Sequence, residues 1–341
     1  MKIGIIGANG HVGTELCFIL KKDDVVPIVR NKMGSLFLQH NGLHCRIADI
    51  SSENDAKDNL HDLDVIVISS FAADRLTGSQ NQTSKLINEK LIKNAFMFSK
   101  SDSTIVYLST LRAFAHKIDP QTSRFLVPRY DKEKQLMEKT LISESKKWKK
   151  RGFALRLGMV FGEHQVFTNQ IKEKLSNNKK ITVNVSASNK SNIVHTVTIA
   201  DAISVCTKPE VKPGVYSLVN EPQWTWKEVY DYYNKDTQLE FVPQISKSTG
   251  IFDFFWKSLK SNKKLMIPIL YHIPSKFEGK IQRLMNIKKY QLEISQLRED
   301  KIIDDGNGSF PYRTIPGPFL PGLQKTTEIL QSYPSEIFNT T

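Results

Sequence analysis

The fold of this chain is decided by the segment Lys2-Ile3-Gly4-Ile5-Ile6-Gly7-Ala8-Asn9-Gly10-His11-Val12-Gly13. The apolar run before Gly7 predicts a strand, and the helical spacing from Val12 to Lys22 predicts a helix. The glycines between them suit a tight turn, a close approach of a pyrophosphate to the backbone, and close helix–strand packing. The free N–H groups at the helix start would face the phosphates. The alternative is a plain βα turn, but the strand–turn–helix context favours a dinucleotide site formed by Gly7, Asn9, Gly10, His11, Val12 and Gly13.

Further apolar runs alternate with amphipathic stretches through the first half of the chain. Helical spacing appears near Ser79–Ala95 and at Tyr130–Lys147. The runs are continuous and rich in β-branched residues, which is typical of strands buried on both faces of a parallel sheet. The pattern predicts an α/β fold, a Rossmann-type doubly wound parallel sheet over residues 1–162. Its later strands are predicted at Val25–Val29, Cys45–Ala48, Asp64–Ser69, Thr104–Ser109 and Phe153–Val160.

The pattern changes after Gly162. Short strands are predicted at Ile181–Val185, Val194–Val197 and Val215–Asn220, and a helix at Thr225–Asn234. We expect residues 193–220 to return to the Rossmann domain. Residues 163–192 and 221–341 should form a smaller substrate-binding lobe over the carboxyl edge of the sheet, where open α/β sheets bind their ligands.

Composition excludes several classes of protein. The three cysteines, Cys17, Cys45 and Cys206, are far apart and form no CxxC pair, which argues against a disulfide scaffold or a zinc ribbon. No metal site is predicted. No apolar run approaches the roughly 18 residues that a membrane-spanning helix needs. We therefore expect a cytoplasmic protein, whose net charge of +13 favours partners that carry phosphate.

Several motifs together resemble one enzyme family. The glycine spacing is GxxGxxG, and Tyr130-Asp131-Lys132-Glu133-Lys134 is a YxxxK motif between the predicted fifth and sixth strands. Arg156–Gly162 is similar to R-P-G-x-V-Y-G, and Val194–Ala202 to V-H-V-x-D-V-A. Over residues 1–220 the chain resembles the extended short-chain dehydrogenase/reductase family, the NAD(P)-dependent epimerases and dehydratases. We interpret His195 in the last motif as a structural residue.

The end of the predicted second strand indicates the cofactor. Arg30 stands where an acidic residue would bind the ribose 2′-hydroxyl of NAD, and Arg30 could instead clamp a 2′-phosphate. This predicts NADP rather than NAD; the alternative is a solvated basic turn. The resemblance implies that Asp49, beside Ile50, contacts the adenine. Ser69 ends the fourth predicted strand, where small residues line the cofactor.

The YxxxK spacing places its tyrosine and lysine on one helix face. Lys134 would hold the nicotinamide ribose, and its positive charge would favour a tyrosinate, so that Tyr130 becomes a general acid/base. The resemblance of the segment Val106–Ala115 to the family pattern implies that Thr110 orients the substrate oxygen. Ser109 is the second choice for that role.

The chain departs from the family pattern in ways that restrict the reaction. Leu111-Arg112 follow the threonine where sugar dehydratases carry Asp-Glu, which argues against dehydration. Arg30 argues against an epimerase that retains NAD. The favoured function is NADP-dependent hydride transfer between a carbonyl and an alcohol, and a sugar epimerase is the alternative. A non-catalytic protein that senses NADP or binds RNA is disfavoured by the set Thr110, Tyr130 and Lys134.

Residues 250–290 contain nine lysines and arginines against Asp253 and Glu278, together with the aromatic run Ile251–Trp256. Apolar and cationic residues together suit contact with anionic lipid at the inner membrane face, or a sugar linked to a nucleotide or lipid diphosphate. A solvated basic face is the alternative. Nucleic acid is not expected, because no aromatic reading surface is identifiable. The resemblance implies a homodimer formed through the helix of Tyr130.

Overall fold

The computed structural model describes residues 1–242 except residues 23, 73–80, 115–128, 164 and 184. The strands are β1 Lys2–Ile6, β2 Asp24–Val29, β3 Arg46–Ile47, β4 Val65–Ile68, β5 Thr104–Thr110, β6 Arg151–Leu157, β7 Met159–Phe161, β8 Lys180–Val183, β9 Ile193–His195, β10 Gly214–Leu218 and β11 Gln238–Phe241. The helices are α1 His11–Ile19, α2 Leu36–His40, α3 Glu53–Leu60, α4 Asn81–Phe98, α5 Arg129–Trp148, α6 Val166–Asn177, α7 Thr196–Cys206 and α8 Trp226–Tyr233.

Seven parallel strands form the central sheet in the order β10-β6-β5-β4-β1-β2-β3. The sheet is covered on both faces. One face packs on α1 and α7, where Leu16, Cys17 and Ile203 meet Ile5 and Val67. The other packs on α3, α4 and α5 through Leu60, Ile92, Phe96, Met137 and Leu141. The predicted doubly wound parallel sheet is confirmed, and burial on both faces explains the continuous apolar runs.

The single strand predicted over Phe153–Val160 is wrong: two strands occupy this stretch, β6 and β7, and Gly158 separates them. The Gly158 N–H donates to Leu218 O at 3.0 Å, whereas the next N–H, of Met159, donates to Asn192 O at 3.1 Å. A Cβ at Gly158 would lie 2.0 Å from Asn192 O, so only glycine fits. The chain therefore leaves the sheet at Gly158, and β7 pairs with β9 instead.

The strand predicted over Val194–Val197 is also wrong beyond His195. There β9 ends and α7 begins, because His195 caps the helix: its Nδ1 accepts a hydrogen bond from the Val197 N–H at 3.2 Å. His195 is 3% exposed, and burial lowers its pKa to about 3. The ring is therefore neutral, in agreement with a structural histidine. The helices α2, α3, α6 and α7 were not predicted.

A third apolar cluster, the lobe core, lies outside the sheet and contains Phe161, Ile171, Leu175, Val183, Val185, Ile193, Trp226, Val229 and Tyr230. It is built by α6, α8 and the parallel pair β8–β11. A capping box fixes the start of α8. Thr225 Oγ1 accepts a hydrogen bond from the Glu228 N–H, and the Glu228 carboxylate accepts one from the Thr225 N–H. The predicted basic stretch 250–290 lies outside the described residues. None of the described helices has the length and hydropathy needed to cross a membrane.

Candidate active site

The glycine turn after β1 has a geometry that requires its glycines. Gly7 has a φ of +82°, and a Cβ there would lie 2.6 Å from the Cβ of Ser70. A Cβ on Gly13 would lie 2.3 Å from Gly7 O, so α1 can begin this close to β1 only without a side chain. Ser69 Oγ donates to Ile6 O at 2.8 Å and holds the end of β4 against the turn. Ser69 thus supports the loop through the backbone.

The outer side of this turn fits a diphosphate. Within 4 Å of a Cβ placed on Gly10, the nearest atom is Gly7 O, at 3.3 Å, so the backbone there is open to a ligand. The helix α1 begins at His11 with Gly10 as its N-cap and no side-chain capping bond. Its first N–H groups have no acceptor within the helix and can receive an anion. The buried Ser70 hydroxyl, beside Gly7, has no hydrogen-bond partner among the described residues.

Arg30 lies at the end of β2, close to the glycine turn. Both Arg30 and Lys32 are exposed. Asn31 Oδ1 accepts from the Gly34 N–H at 2.9 Å and shapes the turn that follows. A Cβ on Gly34 would lie 2.7 Å from Asn9 Nδ2, so this cationic turn touches the glycine turn. The turn that follows β2 therefore brings exposed cations to the neighbourhood of the glycine turn.

Asp49 lies in the turn after β3. Its Oδ1 accepts from the Ser51 N–H at 3.0 Å and from Ser51 Oγ at 2.6 Å. The neighbouring Ile50 is 2% exposed, and its carbonyl accepts from Asn94 Nδ2 at 2.8 Å. These contacts fix the loop that follows β3. The adenine contact of Asp49 stays a prediction.

Lys134 is buried against the end of β5. Its Nζ donates to Leu108 O at 2.9 Å and lies 4.5 Å from the ring centroid of Phe71 and 4.7 Å from that of Tyr107. Burial lowers the pKa of Lys134 to about 7, although the Glu138 carboxylate acts in the opposite direction. The ammonium group of Lys134 therefore gains or loses its proton near neutral pH.

Tyr130 lies one helical turn before Lys134 and faces solvent, with 41% of its surface exposed. Its ring contacts Phe71 edge to face, with centroids 5.1 Å apart, and Lys134 Nζ lies 5.7 Å from its centroid. Thr110, the last residue of β5, is half-buried at the same edge of the sheet. The structure thus places all three predicted catalytic residues where α5 crosses the end of β5.

Glu138 organises a buried polar network that the sequence analysis did not assign. It accepts from Ser109 Oγ at 2.6 Å, and Arg156 donates to both of its oxygens, from Nε at 2.9 Å and Nη2 at 2.6 Å. Because the Ser109 hydroxyl donates its hydrogen bond to Glu138, the Thr110 hydroxyl is better placed to orient a substrate oxygen. One signal could have revealed Glu138: it follows Lys134 by one further four-residue step on the same helix face.

A second unpredicted network joins the glycine turn to the rest of the molecule. Glu15 is fully buried; Thr196 Oγ1 donates to its Oε2 at 2.6 Å, and Gln165 Nε2 donates to its Oε1 at 2.8 Å. Gln165 also bonds His11 O at 3.1 Å. These bonds tie the first turn of α1 to the starts of α6 and α7. An acidic residue inside an otherwise apolar helical run was the one available signal.

Comparisons with known proteins agree with this architecture. Residues 1–245 match the family described as RmlD substrate binding domain. Solved structures that share the fold include UDP-N-acetylglucosamine 4-epimerase from Bacillus cereus, with a TM-score of 0.54, 16% identity, and coverage of 74% of this chain and 93% of that chain. No curated protein sequence matches the chain significantly.

Two further structures show how varied the proteins of this fold are. ADP-L-glycero-D-manno-heptose-6-epimerase from Helicobacter pylori has a TM-score of 0.54 at 18% identity, over 71% of this chain and 85% of that one. L-threonine dehydrogenase from Clostridium difficile has a TM-score of 0.53 at 18% identity, over 71% of this chain and 84% of that one. At such identities the likeness concerns the fold alone. The family match, which spans most of the chain, carries the assignment, and the chain belongs to the RmlD substrate binding domain family, within the extended short-chain dehydrogenase/reductase superfamily of NAD(P)-binding enzymes.

Proposed function

We propose that this protein is an NADP-dependent oxidoreductase that interconverts a carbonyl and an alcohol on a sugar carried by a nucleotide or lipid diphosphate. The observation that carries the proposal is the position of Tyr130 and Lys134, which α5 holds against the end of β5 at the same sheet edge as the glycine turn. A protein that only sensed the cofactor would need no proton donor there.

The residues of this edge have distinct roles in the proposed reaction. Gly7, Gly10, Gly13 and the start of α1 would hold the diphosphate of NADP, and Arg30 its 2′-phosphate. When bound, the nicotinamide supplies or accepts the hydride.

In the direction of reduction, the Tyr130 hydroxyl donates a proton to the substrate oxygen while the Thr110 hydroxyl orients that oxygen. The tyrosinate that remains is stabilised by the Lys134 ammonium and regains its proton from solvent. One hydride and one proton thus convert the carbonyl to an alcohol. Lys134 would also hold the hydroxyl groups of the nicotinamide ribose.

The proposed substrate class is supported by aromatic rings beside β7. The ring centroid of Phe161 lies 5.3 Å from that of Tyr233 and 6.5 Å from that of Trp224. The Tyr232 ring contacts both Trp224 and Tyr233. Tyr232 is 52% exposed, so the cluster offers a ring surface to solvent. Such a surface suits a sugar or a base. The epimerases named above act on sugars linked to nucleotides, which agrees with this class.

The first test is a fluorescence titration of the protein with NADPH and with NADH. We expect NADPH to bind at least about tenfold more tightly, because a charge-assisted bond is worth about 1.5–3 kcal/mol. Arg30→Ala should remove the preference, whereas Lys179→Ala, which removes an exposed cation directly before β8, should keep it. NAD retained through purification would instead favour the epimerase. Failure of both cofactors to bind would favour a non-catalytic protein.

The second test asks whether Tyr130 is the proton donor of the reaction. Tyr130→Phe removes the proton donor and keeps the ring that packs on Phe71. We expect kcat to fall by about 10²–10⁴-fold while the Kd for NADPH stays unchanged. An unchanged kcat would exclude Tyr130 as the acid/base.

We also propose that the protein acts in the cytoplasm. The three cysteines are free thiols, and Cys17 and Cys206 are buried, which agrees with a reducing compartment. Cell fractionation tests this: recovery of the native protein from an extracellular or periplasmic fraction would exclude it.

A further inference from the structure

The helices α4 and α5 pack side by side on one face of the sheet and share an outer surface. All of the exposed charged residues on these helices whose side chains the structure describes are lysines. We call this surface the lysine face. It consists of Lys85, Lys90, Lys93, Lys132, Lys139, Lys146 and Lys147.

Two acidic residues of α5 are buried beneath this surface, whereas Glu89 and Glu133 are half-buried. Glu138 is 4% exposed and belongs to Arg156 and Ser109, and Glu144, at 8%, accepts from Trp148 Nε1 at 2.9 Å. Glu89 lies between Lys85 and Lys93, at 3.7 and 3.9 Å, with a side chain that is 19% exposed. Glu138 and Glu144 therefore act inside the fold, and the exposed charges that the structure describes on these helices are those of the lysines.

We propose that the lysine face docks on an anionic lipid membrane. Each lysine near such a surface contributes on the order of 1 kcal/mol, and the ammonium groups need no specific partner geometry. Leu86 and Met97 stand among the lysines with 54% and 40% of their surface exposed, and they can enter the headgroup region. This proposal is independent of the reaction that the protein catalyses.

A second copy of this chain is a poorer partner for the lysine face. Two-fold symmetry brings the same patch of each copy together, so a dimer formed here would oppose lysine to lysine. Like charges at short distance repel, and Glu138 and Glu144, which are buried, cannot compensate them. The charge distribution thus disfavours the homodimer that the family resemblance implies for α5.

Nucleic acid also fits the lysine face less well than lipid. Recognition of phosphates and bases favours arginine, with its planar fork, and stacked aromatic rings. Among the side chains that the structure describes on this surface, the cations are lysines, and the exposed apolar residues between them are aliphatic. A diffuse array of flexible point charges suits a fluid anionic surface better.

A cavity of about 510 Å³ lies at the edge of the lysine face, between α5, β6 and β10. Two residues of the face, Lys139 and Lys146, line it together with Arg156 and Glu138, and Val215 of β10 forms part of its wall. Three cations against one carboxylate give the recess a positive charge. It offers a lipid phosphate a place next to the docking surface.

The test uses the full chain and sedimentation with vesicles of phosphatidylcholine, with and without phosphatidylserine. We expect binding only to the anionic vesicles, and weaker binding as salt rises from about 0.1 M to about 0.5 M. A face variant replaces four lysines with glutamine: Lys90, Lys93, Lys139 and Lys147. A control variant removes the same charge from exposed lysines elsewhere: Lys174, Lys179, Lys208 and Lys212.

The face variant should lose affinity for anionic vesicles by roughly 100-fold or more, and the control variant should bind within a few-fold of the unaltered protein. Equal loss in both variants would mean that only total charge matters and would overturn the proposal. If neither variant lost affinity for anionic vesicles, the vesicle contact would lie elsewhere on the protein and the proposal would be overturned. A stable dimer in solution that dissociates in the face variant, or RNA binding that depends on the face without vesicle binding, would also overturn it.

Discussion

Lys134 is a single residue whose charge conflicts with its surroundings. The residue is 4% exposed, and its ammonium group lies near the Phe71 and Tyr107 rings and donates to the Leu108 carbonyl oxygen. Because the fold depresses its pKa, the folded chain holds this proton less tightly than the unfolded chain does. Stability contributed by Lys134 therefore changes with pH in a window that starts near neutrality.

The sign of that change can be predicted. Between pH about 7, the folded pKa, and 10.5, the ordinary lysine value, the unfolded chain binds the extra proton, so the stability of the protein rises with pH. In Lys134→Met this contribution is missing. Urea unfolding at about pH 7 and about pH 9 should show the unaltered protein gaining roughly 2 kcal/mol relative to the variant. A difference that does not change with pH would contradict the buried position of the ammonium.

Substitution of Glu138 and of Glu89 compares what a buried and a more exposed ion pair contribute to the free energy of unfolding. Glu138→Ala leaves the Arg156 side chain, which is 15% exposed, without its carboxylate and should cost about 3–5 kcal/mol of unfolding free energy. Glu89→Ala breaks two surface pairs on α4 and should cost less than about 1 kcal/mol. Both values come from denaturant titration. Equal costs would show that the Glu138 network adds no more than a surface pair.

Among elements, the strand, glycine turn and first helix were the most predictable, because each has a local cause in neighbouring residues. The positions of Tyr130 and Lys134 on one helix were predictable for the same reason. The break at Gly158 was not, because the apolar run crosses it and the cause, Asn192 O, is distant in sequence. The start of α7 was missed because a histidine caps it instead of a residue type common at that position.

The glycine turn allows stability and binding to be separated. In Gly13→Ala the new Cβ meets Gly7 O at 2.3 Å and Ser69 Oγ at 2.9 Å, so we expect a loss of about 1–3 kcal/mol. In Gly10→Ala the nearest atom is 3.3 Å away, so stability should change by less than about 1 kcal/mol. Its methyl group occupies the diphosphate position instead, and the Kd for NADPH should rise roughly tenfold. Thermal melts and cofactor titrations measure the two effects, and the opposite pattern would contradict this geometry.

At the scale of the whole molecule, sequence patterns indicated which segments form the sheet but not how distant segments are joined. Glu15, Gln165 and Thr196 are separated by more than a hundred residues at the widest, yet they share one buried network. The acidic residue within α1 indicates a buried polar site, but nothing local identifies its partners. The +13 charge was visible in the sequence, whereas the exposure of the lysines on the outer side of α4 and α5 depends on which way each side chain turns.

This long-range organisation predicts that residues 1–162 do not fold alone. Such a fragment lacks β10, the neighbour of β6, and α7, which covers α1 and one face of the sheet. Ile199, Ala202 and Ile203 of α7 are all buried there. A fragment of residues 1–242 should unfold cooperatively in urea with a fixed near-ultraviolet spectrum, and residues 1–162 should not. Cooperative unfolding of the shorter fragment would contradict this interdependence.

The departure of the chain from the sheet at Gly158 has a consequence for how such a protein can diversify. After that point the chain enters the lobe core, returns through β9 to supply α7 and β10, and leaves the sheet again after Leu218. Several crossings connect the two parts, so no single junction separates them. Recombination at one splice site cannot exchange the lobe of this protein for that of another. New specificities must arise in place, by substitution and by insertion in loops, while both parts continue to share one folded unit.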